Sequence, residues 1–358
     1  FLCADLMRTL RLSVDANNLD SASSRASIEQ AGTILRAGGT VAFPTETVYG
    51  LGANALDAAA VAKIFSAKQR PGWDPLIVHL ADRAMLPSIT ASVPENAARL
   101  MDVFWPGPLT LLLPRGASIP DAVTAGRLLV GVRVPRHPVA RALLRSAGVP
   151  VAAPSANTFG RISPTLAAHV AEDLDGKIDV ILDSGETTHG LESTVIDAYA
   201  EPCVIYRPGV ITLEQIRLVC PGAVAFQETA LCADAKPEAL PSPGVGLRHY
   251  APRARLILVD GSEQDQMRRL ADEAQTAQQA GEKVGLMLPA AFQYAAASPD
   301  AMVYRWGEWT NNEELAHRLF AGLRWLDAAG ATVIVCPLPA AQGIGLAMRD
   351  RLKKAARK

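Results

Sequence analysis

Short apolar runs separated by helix-spaced segments constrain this chain more than any other feature. The runs at Thr40–Phe43, Pro75–Leu80, Leu109–Leu113, Leu128–Val134 and Asp179–Leu182 suit buried strands and are too short for helices. Further strands are expected up to Pro154, near Thr194–Ile196 and at Val204–Tyr206. Between them, Ile28–Ala37 spaces Ile28, Ala31, Ile34 and Leu35 on one helical face and stops at Gly38-Gly39. Asp57 is placed to cap a helix over Ala58–Ala67, and helices are expected over Glu95–Phe104, from Pro138 onward and over Thr165–Leu174. Strands and helices that alternate without a long repeat predict an α/β domain with a twisted mixed sheet. Residues 1–25 are polar and expected to be loose.

The pattern stops near residue 221. A stretch rich in Pro, Ala and Gly follows, with no clean period, and reads as a linker. A smaller α/β pattern then begins: strands at Arg255–Val259, Val284–Leu288 and Thr332–Cys336, with helices at Gln264–Gln279, Asn312–Ala328 and Leu346–Ala356. This predicts a Rossmann-like C-terminal domain. The expected division is an N-terminal extension (1–24), a larger α/β domain (25–215), a linker (216–252) and the C-terminal domain (253–358). A length of 358 residues suits about two domains.

Composition narrows the function. A net charge of −1 makes the whole molecule a poor electrostatic partner for nucleic acid or anionic membrane. The five cysteines include no C-x-x-C pair, which argues against a disulfide framework or zinc site and for a cytoplasmic setting. The six histidines show no metal-ligand spacing. No apolar run approaches the ~20 residues of a membrane span. The first residues lack the basic region of a secretory signal, and Met7 is the expected native start.

Most catalytic signatures are missing, including the P-loop and the G-x-S-x-G elbow. "GLGANA" (Gly50–Ala55) fits the loose dinucleotide form, but six residues beginning with Pro44 separate it from the preceding strand. What remains is a set of polar clusters where strands meet turns: "PTETVYG", "SAKQRPGWDPLIVH", "PSAN", "ESTVID" and "YRPG". Ligands of α/β sheets gather at such strand ends. Lys68 and Arg70 follow a helix, where cations also complement its C-terminus. With Arg207 they make three cations on turns, suited to a phosphate or carboxylate pocket. The hydroxyls and amides of "PSAN" and "ESTVID" either build turns and caps or bond a ligand. A lone strand-end histidine such as His79 is more often structural than catalytic. The basic last helix, Arg349–Lys358, is a solvated helix end; a tRNA contact is open to it but not demanded.

Taken in this order, "PTETVYGLG", "AKQRP", "PLIVH", "WPGPLT", "PSAN", "ESTVID" and "YRPG" resemble the YrdC-type family of threonylcarbamoyl-AMP synthases over about residues 25–215. "SPGVGLRHYAP" (Ser242–Pro252) and "GIGLAMRDRLKKAA" (Gly343–Ala356) resemble the linker and C-terminal domain of the long two-domain form. The resemblance implies an enzyme that makes threonylcarbamoyl-AMP and pyrophosphate from L-threonine, bicarbonate and ATP. A downstream tRNA threonylcarbamoyl transferase complex then modifies the adenosine beside the anticodon. By the same resemblance Lys68 and Arg70 are the catalytic cations. Thr45, Tyr49, Arg70, His79 and Ser193 meet threonine, while Lys68, Ser155, Asn157, Thr194 and Arg207 meet the nucleotide. Mg²⁺ is expected with ATP, held mainly by phosphates and water. "PTETVYG" is expected to form one wall of the pocket, its hydroxyls aimed at a ligand rather than across a hairpin. Tyr250 belongs to a segment that resembles a flap over the site, or is an inter-domain spacer.

Three positions depart from the family pattern: Gln69 where glycine is usual, Asp74 where asparagine is usual, and Gly246-Leu247 in place of Lys-Tyr before Arg248. Gln69 would cost ~1 kcal/mol if its backbone must take a positive φ. Two other readings compete. An RNA-binding or ribosome-assembly module would use the same basic cavity, which the near-neutral charge disfavours. A carbamoyl-adenylate enzyme serving another acceptor usually carries metal-binding or acylphosphatase-like domains whose cysteine and histidine signatures are absent from the sequence.

Overall fold

The computed structural model describes residues 8–226, 249–292 and 301–357. These fall into two compact units. The first contains residues 8–159, 164–188 and 192–226; the second contains 160–163, 189–191, 249–292 and 301–357.

In the first unit β1 (Leu10–Ser13) precedes α1 (Ala22–Arg36), β2 (Val41–Phe43), β3 (Gly50–Asn54), α2 (Ala58–Lys68) and β4 (Ile77–His79). There follow α3 (Glu95–Phe104), β5 (Leu109–Pro114), the short α4 (Asp121–Thr124), β6 (Leu129–Arg133), α5 (Pro138–Ala147) and β7 (Val151–Ala152). The unit ends with α6 (Ala167–Leu174), β8 (Val180–Asp183), β9 (Thr194–Asp197), β10 (Val204–Arg207), α7 (Leu213–Arg217) and β11 (Val224–Ala225). Its strands form one mixed sheet in the order β1-β8-β2-β3-β7-β4-β6-β5-β9-β10-β11.

The helices form for the reasons their sequences give. Asp57 accepts hydrogen bonds from the N–H groups of Ala59 and Ala60, satisfying two donors at the start of α2. Pro138 opens α5, where a missing N–H costs nothing. Val139, Ala140, Leu143, Leu144 and Ala147 then make one buried stripe on α5, and each buried leucine contributes about 2 kcal/mol. They share a core with Ile28, Ala31 and Leu35 of α1.

Two local expectations change, and one weak motif is resolved. Leu10–Ser13 is a strand rather than loose chain: it pairs in parallel with β8, so its backbone groups are bonded although Leu10 itself is exposed. "GLGANA" is largely strand β3, not a phosphate-binding turn. Its small residues permit close packing: a Cβ on Gly52 would lie 2.7 Å from Val151 Cγ1 and 2.8 Å from Phe43 Cε1. Because β2 and β3 are antiparallel partners, with Phe43 opposite Gly50, "PTETVY" is the loop of a hairpin after all.

The second unit contains β12 (Arg255–Val259), α8 (Glu263–Gln279), β13 (Val284–Pro289), β14 (Met302–Gly307), α9 (Asn312–Ala328), β15 (Val333–Pro337) and α10 (Ile344–Ala355). Its four strands lie in the order β12-β15-β13-β14, all parallel, the Rossmann-like layering expected of it. Strand β14 is absent from the sequence reading although Met302, Val303, Tyr304 and Trp306 favour a strand, because the single charge of Arg305 divides so short a run. Trp306 nevertheless anchors it, fully buried, with Nε1 donating to Leu315 O at 2.7 Å.

Candidate active site

The site grows from α2. The helix ends at Lys68, and Gln69 then takes the left-handed conformation, φ 53° and ψ 38°. The positive φ suspected at this position is therefore real, and an L side chain there carries about 1 kcal/mol of strain. The reversal turns Lys68 inward and sends Arg70 along the chain toward β4. Lys68 is buried, and its Nζ donates to Ser155 O at 2.5 Å and to Asn157 O. Phe159 N–H returns a bond to Lys68 O at 2.8 Å. One ammonium thus staples the "PSAN" loop to the end of α2. Burial, and then the charge of Arg70, holds the Lys68 ammonium well below the ordinary lysine pKa.

Arg70 is equally enclosed. Its Nε donates to Asp74 O at 3.1 Å, and its Nη2 donates to Pro75 O at 2.7 Å and approaches Asp74 Oδ2 at 2.9 Å. Burial raises the Asp74 carboxyl above the usual aspartate range. The positive charges of Arg70, Lys68 and Arg207 all act against that rise. Arg207 stands at the end of β10, buried, with Nη2 donating to Ser193 O at 2.9 Å and to Ser193 Oγ at 3.1 Å. Ser193 Oγ in turn lies 2.8 Å from Thr110 Oγ1. Gly209 allows this close crossing, since a Cβ there would fall 2.4 Å from Thr194 N and 2.5 Å from Glu192 O. Thr194 Oγ1 donates to Ile211 O at 2.5 Å.

Sheet register aligns the remaining groups. His79 on β4 is opposite Arg133 on β6, β6 pairs with β5, Thr110 on β5 is opposite Val195 on β9, and Val195 is opposite Arg207 on β10. His79, Arg133, Thr110 and Arg207 therefore follow one line that crosses β9 at Val195, and Ser193, just ahead of β9, joins it through its bonds to Thr110 and Arg207. His79 is buried, and burial together with the Arg133 charge pushes its pKa down to about 3, so it is a neutral imidazole at neutral pH. Its Nδ1 has no hydrogen-bond partner among the described residues.

The hairpin loop meets this line through residues that the sequence reading passed over. Arg133 Nη2 is 2.7 Å from Glu46 Oε1, both side chains buried. Arg133 Nη1 donates to Thr47 Oγ1 at 3.0 Å and Nε to Gly107 O at 3.1 Å. Burial alone would raise the Glu46 pKa, but the charge and hydrogen bond of Arg133 outweigh it and the net shift is downward. A charged residue inside "LVGVRV" was the signal for this pair, since a strand that buries arginine must bury its counter-ion as well. Thr45 Oγ1 lies 2.8 Å from Thr47 Oγ1 and donates to Val48 O at 2.7 Å. Tyr49 OH donates to Gly185 O at 2.7 Å. The described bonds of Thr45 and Tyr49 brace the loop, and each hydroxyl oxygen keeps lone pairs able to accept a ligand's hydrogen bond.

Ser155 is half-buried at the mouth of "PSAN", and Asn157 is buried with Nδ2 donating to Thr158 O at 2.8 Å. Tyr250 is buried within the second unit, stacked on Phe320 at 5.7 Å with the Arg351 guanidinium 5.1 Å from its ring. Residues 242–248 of its segment, including Gly246-Leu247, lie outside the described residues. Among the described residues no group of three His, Cys, Asp or Glu side chains could hold a metal, and no helix is long and apolar enough to cross a membrane.

Comparison with known proteins gives this arrangement a family. The Sua5–YciO–YrdC family model, described as "Telomere recombination", matches residues 33–209. The model described as "Threonylcarbamoyl-AMP synthase, C-terminal domain" matches residues 211–357. The threonylcarbamoyl-AMP synthase of Pyrococcus abyssi is 43% identical, covering 92% of this chain and 93% of the relative. That of Bacillus subtilis is 42% identical over 98% of each chain.

The chain belongs to the threonylcarbamoyl-AMP synthase family.

A crystal structure of P. abyssi Sua5 complexed with L-threonine superposes with a TM-score of 0.88 at 40% identity, covering 97% of this chain and 98% of that one. The family is enzymatic, and the α/β architecture of both units is shared with it. For a threonylcarbamoyl-AMP synthase the polar line has a chemical logic. It offers buried cations and fixed hydrogen-bonding groups but no activated side-chain nucleophile, which suits a reaction whose substrate supplies its own attacking group.

Proposed function

We propose that this protein is an L-threonylcarbamoyladenylate synthase that joins L-threonine, bicarbonate and ATP, releasing pyrophosphate, for tRNA modification next to the anticodon. The observation that carries the reading is a buried set of cations in a chain of this family: Arg70 paired with buried Asp74, with the charges of Lys68 and Arg207 acting on the same carboxylate. Threonine's amine attacks the carbon of bicarbonate, and the bicarbonate hydroxyl leaves with an amine proton as water, giving the carbamate. A carbamate oxygen attacks the α-phosphorus of ATP, and the bond to the pyrophosphate oxygen breaks. The protein's task is to hold two anions together and to stabilise the charge that grows on phosphate.

In this reading Lys68 and Arg70 are the catalytic cations. Lys68 also fixes the "PSAN" loop, and a triphosphate arriving beside it favours its charged form. Ser155, Asn157, Thr194 and Arg207 surround the nucleotide. Arg70, His79 and Ser193 face threonine, with Thr45 and Tyr49 shaping the hairpin wall behind it. Mg²⁺ enters with the ATP substrate, held mainly by phosphates and water. The product passes to a tRNA threonylcarbamoyl transferase complex, in a cytoplasmic setting. The test is pyrophosphate release from ATP, with and without threonine and bicarbonate. Release is expected to need both, and Lys68→Ala or Arg70→Ala is expected to lower it on the order of 100-fold or more. Release that persists without threonine refutes the reading.

A further inference from the structure

The cation cluster already contains an anion of its own. Asp74 Oδ2 is 2.9 Å from Arg70 Nη2, while Asp74 Oδ1 is buried and has no hydrogen-bond partner among the described residues. The charged groups acting on the carboxylate are Arg70, Lys68 and Arg207, on the turn after α2, the end of α2 and the end of β10. No second carboxylate, cysteine or histidine pair joins Asp74 to make a metal cage among the described residues. Nor does Arg70 depend on the carboxylate for its position: the carbonyls of Asp74 and Pro75 accept from Nε and Nη2. Those two bonds keep the guanidinium aimed when the negative charge is deleted, at the stability cost of breaking a buried pair.

We propose that Asp74 is a specificity-determining residue, an internal counter-anion that offsets one of the three cations and sets how strongly the site attracts phosphate-bearing ligands. The proposal rests on the reading of this cleft as the triphosphate site. A neutral side chain of the same shape would leave the cations without the carboxylate that opposes their pull on a ligand's phosphates. The added attraction acts on charged phosphates and not on a neutral nucleoside.

The test is calorimetric binding of ATP, pyrophosphate and adenosine to the full chain at fixed pH and ionic strength, for wild type, Asp74→Asn and Asp74→Ala. The alanine variant separates loss of charge from the hydrogen bond that an asparagine amide could donate. Thermal melts first establish that each variant folds. The expected result is affinity for ATP and pyrophosphate that rises about five- to tenfold in both variants, with adenosine affinity changed by less than about twofold. Unchanged or weaker phosphate binding in the variants overturns the proposal, as does an equal gain for adenosine. Wild-type protein that binds neither ATP nor pyrophosphate overturns the triphosphate reading itself, and the proposal with it.

Discussion

Removing Glu46 should destabilise the first unit far more than its place in a loop suggests. In Glu46→Ala, Arg133 loses the carboxylate 2.7 Å from Nη2 and stays in a site where its side chain is 4% exposed. Losing one partner of a buried pair costs ~3–5 kcal/mol, because the survivor is a buried uncompensated charge. Arg133 keeps its bonds to Gly107 O and Thr47 Oγ1, so the lower end, about 3 kcal/mol, is expected. Replacing both partners, as in Glu46→Leu/Arg133→Met, removes the stranded charge and should recover at least ~1–2 kcal/mol of that loss. The assay is urea titration with hydrogen exchange read by mass spectrometry on peptides from the β2–β3 hairpin and β6, which reports on this unit alone. The pH dependence has a definite sign. The folded-state pKa of Glu46 lies below its unfolded value, so the stabilisation is complete above about pH 4.3 and is lost as pH falls through the folded value. Glu46→Gln should lack that acid-side loss. A Glu46→Ala cost below about 1 kcal/mol, or a double variant no better than the single one, refutes the argument.

Two backbone positions make further predictions. Gln69→Gly relieves the side-chain cost of a φ of 53° and is expected to raise stability by up to ~1 kcal/mol, read as an upward shift in thermal midpoint; a fall would show that the glutamine side chain contributes more than its strain. Gly209→Ala drives a Cβ into the backbone at Thr194 N and Glu192 O, which must move apart and carry Ser193 away from Arg207. Weaker ATP binding, by on the order of tenfold, is expected by calorimetry, and wild-type affinity would mean that the crossing relaxes without disturbing Arg207.

What the sequence by itself determined was local. The spacing of Val139, Leu143 and Leu144 makes α5 amphipathic wherever it lies, Asp57 caps α2 with its own side chain, and the short apolar runs can only be strands. The basic pair Lys68 and Arg70 also came from neighbours in sequence, whereas the question of positive φ at Gln69 came from the family pattern, which has glycine there. Partner choice did not. Glu46 and Arg133 are 87 positions apart, and nothing in either segment names the other; the register of β6 within the sheet brings them together. Lys68 meets Ser155 and Asn157 only because "PSAN" runs beside the hairpin, with Ser155 bridged to Gly50. "PTETVYG" looked unlike a hairpin because its hydroxyls suggested a ligand, whereas Thr45 donates its hydroxyl proton within its own loop and the pairing of β2 with β3 is set by backbone groups that composition does not reveal. Periodicity and capping are written in a few consecutive residues. Burial of a charge is decided by every strand packed around it, and only the folded sheet specifies that set.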